Sequence, residues 1–93
     1  MTTLLELIQD LDSLDEGSTI YAREPWTAQS QVVVAPEPDS GGLPPEAQKH
    51  GLKYFLEVSL AREFLEDWVT NLHREPTLEE KCARLIEYAV TDA

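Results

Sequence analysis

Residues 36–45 read PEPDSGGLPP, with four prolines and two glycines in ten positions. Proline fixes φ and removes a backbone donor, so this stretch cannot be regular helix or a central strand. It reads as an exposed loop and divides the chain into two parts whose patterns must be read separately. At its end, Pro44 or Pro45 opens a short helix through Glu46 to His50, and Gly51 closes it.

Before the loop, Thr3 and Glu6 have capping-box spacing. Leu4, Leu7, Ile8 and Leu11 follow helical spacing, which predicts a helix over 3–12 that stops at the turn-rich residues 13–17. Thr19 to Arg23 is β-branched and aromatic and reads as a strand. Gln31 to Ala35 holds three consecutive valines and reads as a second strand, buried on both faces. The link between them is short and carries Pro25 and Trp26, as in a long antiparallel hairpin.

After the loop, Leu52 to Val58 alternates. That places Leu52, Tyr54, Leu56 and Val58 on one face and Lys53, Phe55 and Glu57 on the other. Ser59 then offers an N-cap. Leu60, Ala61, Phe64, Leu65, Trp68, Val69 and Leu72 form a helical stripe over 60–72. Thr77 and Glu80 repeat the capping-box spacing, and Leu78, Cys82, Leu85, Ile86, Ala89 and Val90 mark a last helix over 78–91. The order α-β-β-α-β-α-α predicts an α+β fold: a small, three-stranded, mostly antiparallel sheet with helices on one face. The 93 residues suit a single domain, 1–93, with one modest core.

The net charge is −11. Residues 1–48 hold nine acids against one base, Arg23; residues 49–93 hold nine acids against six bases. Such a surface opposes direct nucleic-acid binding and docking on anionic lipid, and favours fast encounter with a basic protein. The first fourteen residues carry Glu6, Asp10 and Asp12 and no basic leader, so they do not read as a signal peptide. No apolar run approaches membrane-spanning length. The single cysteine makes no internal disulfide, and a cytoplasmic location is expected.

The residues that invite catalytic roles have plainer readings. His50 and His73 fall at helix ends, where an imidazole faces the C-terminal carbonyls favourably. Cys82 lies on the apolar stripe of the last helix and behaves as a small hydrophobe. No HxxxH, CxxC or HExxH spacing exists, and Asp10, Asp12, Asp15 and Glu16 lack the glycine and final glutamate of a calcium loop. No cofactor or metal and no enzymatic activity is expected. Trp26 either folds back over the open end of the sheet or serves as a partner anchor, a role for which Trp and Tyr are enriched.

The segments TIYAREPW, GLKYFLEVSLAREFLEDW and EPTLEEKCARLIEYAVTDA resemble a family of small bacterial proteins known only as a domain of unknown function. The resemblance spans nearly the whole chain. It implies a self-contained domain found in bacteria or their mobile elements, and it implies no activity and no catalytic residue. From the residues themselves, the expected role is a non-enzymatic interaction protein. It would bind and inhibit a basic protein, as an immunity protein, an antitoxin or an anti-defence nucleic-acid mimic does. Asp10, Asp12, Asp15, Glu16, Glu24, Glu37 and Asp39 would meet the partner, with Trp26 or Tyr21 as anchor. The alternatives are a structural subunit that forms a homodimer through a sheet edge or through Leu5 and Phe55, and a small enzyme or ligand-binding domain built round His50, His73 or Tyr54.

Overall fold

The computed structural model describes residues 2–92. Its sheet has the order β2-β1-β3, all antiparallel, with β1 at Thr19–Ala22, β2 at Val32–Ala35 and β3 at Lys53–Glu57. All four residues of β1 are buried. A middle strand has a neighbour on each side, so burial on both faces requires a cover in front and another behind.

The front cover is helical. Ile20, Ala22, Val32, Phe55 and Leu56 meet Leu4, Leu7 and Ile8 of α1 (Leu4–Gln9) and Leu11 of the 3-10 turn Leu11–Ser13. They also meet Val58, Ala61 and Leu65 of α3 (Val58–Leu72), and Cys82, Leu85 and Ala89 of α4 (Leu78–Asp92). Each fully buried aliphatic or aromatic side chain here contributes about 1.5–3 kcal/mol. The back cover is smaller. Ala47 of α2 (Pro45–Lys49), Leu52 and the half-buried Leu43 pack on Tyr21 and Val33. The Pro/Gly loop therefore does more than connect, because it carries the chain across the back of the sheet.

Both capping boxes form. Glu6 N–H donates to Thr3 Oγ1, and Thr3 N–H donates to Glu6 Oε1 at 3.0 Å. Thr77 N–H donates to Glu80 Oε1 at 2.9 Å, and Glu80 N–H to Thr77 Oγ1 at 3.1 Å. Arg74 adds a two-point clamp on the Glu80 carboxylate, at 3.0 and 2.6 Å. These bonds favour the ionised form and hold Glu80 at about 2, below its ordinary 4.5.

Several sequence expectations are corrected. Burial on both faces belongs to β1, not to the valines of β2, which is an edge strand whose Val33, Val34 and Ala35 are half-buried. Helices lie on both faces of the sheet, since α2 covers the back. The alternation of β3 is interrupted. Ile20 pairs with Leu56 and Tyr21 with Tyr54, so Phe55 is the extra residue of a bulge. Phe55 and Leu56 both enter the front core, at 0% and 4% exposure, while Tyr54 is 40% exposed. α3 begins directly after β3, with Glu57 rather than Ser59 at the N-cap. The first helix becomes a 3-10 turn after Gln9, and Leu60 and Val90 lie exposed.

Phe55→Ala should cost about 3–5 kcal/mol in urea unfolding and Tyr54→Ala less than about 1.5. The reverse order would mean an unbulged strand. Because the folded state depresses the Glu80 pKa, its contribution is present above 4.5 and lost as pH falls toward 2. Glu80→Gln should therefore flatten the fall of the urea midpoint across that window, and an unchanged pH profile would show that the clamp does not act on stability.

Candidate functional site

The acids of the N-terminal turn are drawn to one cation. Arg62 of α3 reaches Glu16 Oε1 at 3.1 Å and Asp12 Oδ1 at 3.7 Å. Asp15 instead accepts the Gly17 N–H within its own turn. Asp10 sits exposed at the C-cap of α1. This end of the molecule is thus less negative than its sequence implies.

Beside it, α1, α3 and α4 enclose an open groove of about 520 Å³. Ile8, Leu11, Leu65, Val69 and Leu78 line it, with Asp12, Arg62, Glu66 and Lys81 among its polar residues. Arg62 is held by the two acids just named, and Lys81 lies 3.5 Å from Glu75. Thr70 donates its hydroxyl to the Glu66 carbonyl at 2.8 Å. The groove lining contains no histidine, cysteine or serine.

Carboxylates without a cation concentrate elsewhere. Glu63, Glu66 and Asp67 are exposed on α3 and make no ion pair among the described residues. They lie off the apolar stripe of α3. The available signal was the missing Lys or Arg at i+4: Asp67 follows Glu63 at that spacing, and Thr70 follows Glu66. A like-charge pair at this spacing, as Glu63 and Asp67, costs roughly 0.2–0.5 kcal/mol.

The back of the sheet and the loop beside it hold three of the expected partner residues, Tyr21, Glu37 and Asp39, in a different arrangement. Tyr21 is 1% exposed at the middle of the sheet, so it cannot anchor a partner directly. Tyr54 stands beside it on β3, edge to face, with ring centroids 6.5 Å apart. Burial is the main cause that pushes both phenols up, and the Glu37 carboxylate adds to it in each case. Glu37 and Asp39 are exposed in the loop after β2.

Trp26 does fold back. Its indole N–H donates to the Ala22 carbonyl at 3.3 Å, and its ring meets Phe55 edge to face at 4.9 Å. Its remaining surface borders a shallow hollow shared with Glu24, Pro25 and Val90. Glu24 is exposed there, and its peptide bond to Pro25 is cis. The nine residues expected to meet a partner therefore fall in three places: the Arg62 end, the Trp26 turn and the back of the sheet.

The histidines behave as helix ends. His50 is the C-cap of α2, with Nε2 3.9 Å from Glu46, and His73 closes α3 in a left-handed conformation, φ 61°. Cys82 is 1% exposed, and its thiol is pushed up to about 11 by burial and then by Glu79. Among the described residues no group of three or more His, Cys, Asp or Glu is placed to hold a metal ion, and no helix is long and apolar enough to cross a membrane.

Among known proteins, no family model, no curated protein and no solved structure matches the chain.

The Cys82 thiol should resist a maleimide or disulfide reagent at pH 8 in the folded protein and react fully in urea. Rapid labelling under native conditions would return Cys82 to the list of reactive groups.

Proposed function

We propose that the chain is a cytoplasmic, non-enzymatic interaction protein that binds and inhibits a basic protein partner. One observation carries the reading: the distribution of unneutralised charge. Of seven Lys and Arg residues, Arg62, Arg74, Lys81 and Arg84 are taken up by ion pairs on α3, α4 and their junction. Glu63, Glu66, Asp67 and Glu79 remain on the helical layer, and Glu37, Asp39 and Glu57 on the loop and β3, all exposed and with no ion pair among the described residues. Self-repulsion of this kind is relieved when a cationic surface docks, and the field steers that surface in.

Within this class, an immunity-protein or antitoxin role has more support than nucleic-acid mimicry. At a rise of roughly 1.5 Å per residue, Glu63 to Asp67 spans about 6 Å of helix. That is under two nucleotide steps of roughly 3.4 Å. Thr70 and Asn71 then end the run, so α3 carries a short acidic patch and not a phosphate ladder.

A homodimer has less support. Phe55 is fully buried, Leu5 packs half-buried against the core, and β3 is blunted by its bulge and by Lys53 and Glu57. An enzyme built round His50, His73 or Tyr54 would need them to converge in the groove, whose lining contains none of them.

With a basic partner captured on the tagged chain, Glu63→Lys with Glu66→Lys should slow association by about tenfold or more at low salt, and raised salt should shrink the difference. Equal association rates for variant and wild type would remove α3 from the interface. Insensitivity of the wild-type rate to salt would count against the whole reading.

A further inference from the structure

The groove between α1, α3 and α4 separates its apolar and charged groups by depth. Its floor is aliphatic: Ile8, Leu11 and Leu65 are buried, and Val69 and Leu78 are half-buried. Two cations, Arg62 and Lys81, belong to its lining, with side chains 27% and 29% exposed. The carboxylates that hold them are far more open. Asp12 and Glu16, on Arg62, are 100% and 69% exposed, and Glu75, on Lys81, is 79% exposed. Glu66 also lines the groove, exposed and with no ion pair among the described residues. Four carboxylates, Asp12, Glu16, Glu66 and Glu75, therefore stand at the rim against two less exposed cations.

An aliphatic floor inside an acidic rim is complementary to one kind of segment. A helix with aliphatic side chains along one stripe and Lys or Arg beside it buries the first and sets the second against the rim. The existing ion pairs need not break, because a carboxylate has lone pairs for a second donor. The volume of about 520 Å³ gives room for aliphatic side chains to enter. A second copy of this chain would bring a net charge of −11 to the same rim, which opposes it as the occupant.

We infer that this groove docks an amphipathic helix of the basic partner. The helix sets aliphatic side chains against Leu11, Leu65 and Val69, and its cations against Glu66, Asp12 and Glu16. The inference rests on the proposed binding of a basic protein and specifies where it binds and through which element. It also joins two of the acids of the N-terminal turn and the bare Glu66 of α3 in one surface.

The probe is a synthetic peptide of leucine and lysine at amphipathic helical spacing. It is titrated into the methyl-labelled full chain at low salt and followed by NMR. The methyl resonances of Ile8, Leu65 and Val69 should shift along one saturation curve. A scrambled peptide of the same composition, and a leucine–glutamate peptide at the same spacing, should each bind about tenfold more weakly or worse. Val69→Gln, and the double variant Asp12→Asn, Glu66→Gln, should each weaken the leucine–lysine peptide about three- to tenfold. The amide spectrum of each variant reports whether the fold is kept. Unmoved groove methyls, with salt-sensitive shifts elsewhere on the surface, would overturn this inference and leave the broader reading standing. Equal binding of the scrambled peptide would do the same. No salt-sensitive shift anywhere would overturn both.

Discussion

Burial of β1 on both faces is the constraint from which the rest of the architecture follows. Four residues, Thr19 to Ala22, alternate between a front core and a back core. Ile20 and Ala22 demand the three-helix layer, and Tyr21 demands a second, smaller cover. The chain supplies that cover after β2, from a segment too rich in proline and glycine to join the sheet. The bulge in β3 serves the same end. By turning Phe55 and Leu56 both forward, it fills the front core beside Ile20 and gives Trp26 a ring to close against. The same irregularity turns Tyr54 out to the back.

Charge follows a separate logic. The chain uses its few cations to hold parts of the helical layer together. Arg62 ties α3 to the turn after α1, Arg74 clamps the start of α4, and Lys81 reaches back to Glu75. Exposed pairs of this kind contribute little each to stability. Their effect on the electrostatic surface is larger, because among the described residues they leave Glu63, Glu66 and Asp67 of α3 outside the ion pairs. The acid-rich N-terminal half is softened by Arg62, and the less acidic C-terminal half presents the bare carboxylates of α3.

The features legible in the sequence were those set by local physics. Both capping boxes, the helix closed by Gly51, the order of elements and the helical placement of Cys82 follow from spacing over a few residues. What depended on tertiary position was not legible. Three valines in a row and the run from Thr19 to Arg23 both look buried, and only strand order decides that β1 is the centre. Clean alternation from Leu52 to Val58 hides a bulge, since a one-residue shift in pairing leaves no mark on the pattern itself. Tyr21 and Tyr54 exchanged their expected settings for that reason. Asp12 and Glu16 read as free acids because their partner, Arg62, is distant in sequence. For Trp26, the turn residues allowed two outcomes, and packing on Phe55 resolved the structural one.

The central claim is that unneutralised acidic surface exists to meet a basic protein. It is tested most directly by capture on the tagged full chain from a lysate of the source organism, washed first at low and then at moderate salt. The account predicts a single basic protein retained at low salt, released as salt rises, and inhibited when the purified chain is added back to it. Recovery of the chain alone at low salt, or as a stable oligomer that salt does not disturb, would contradict it.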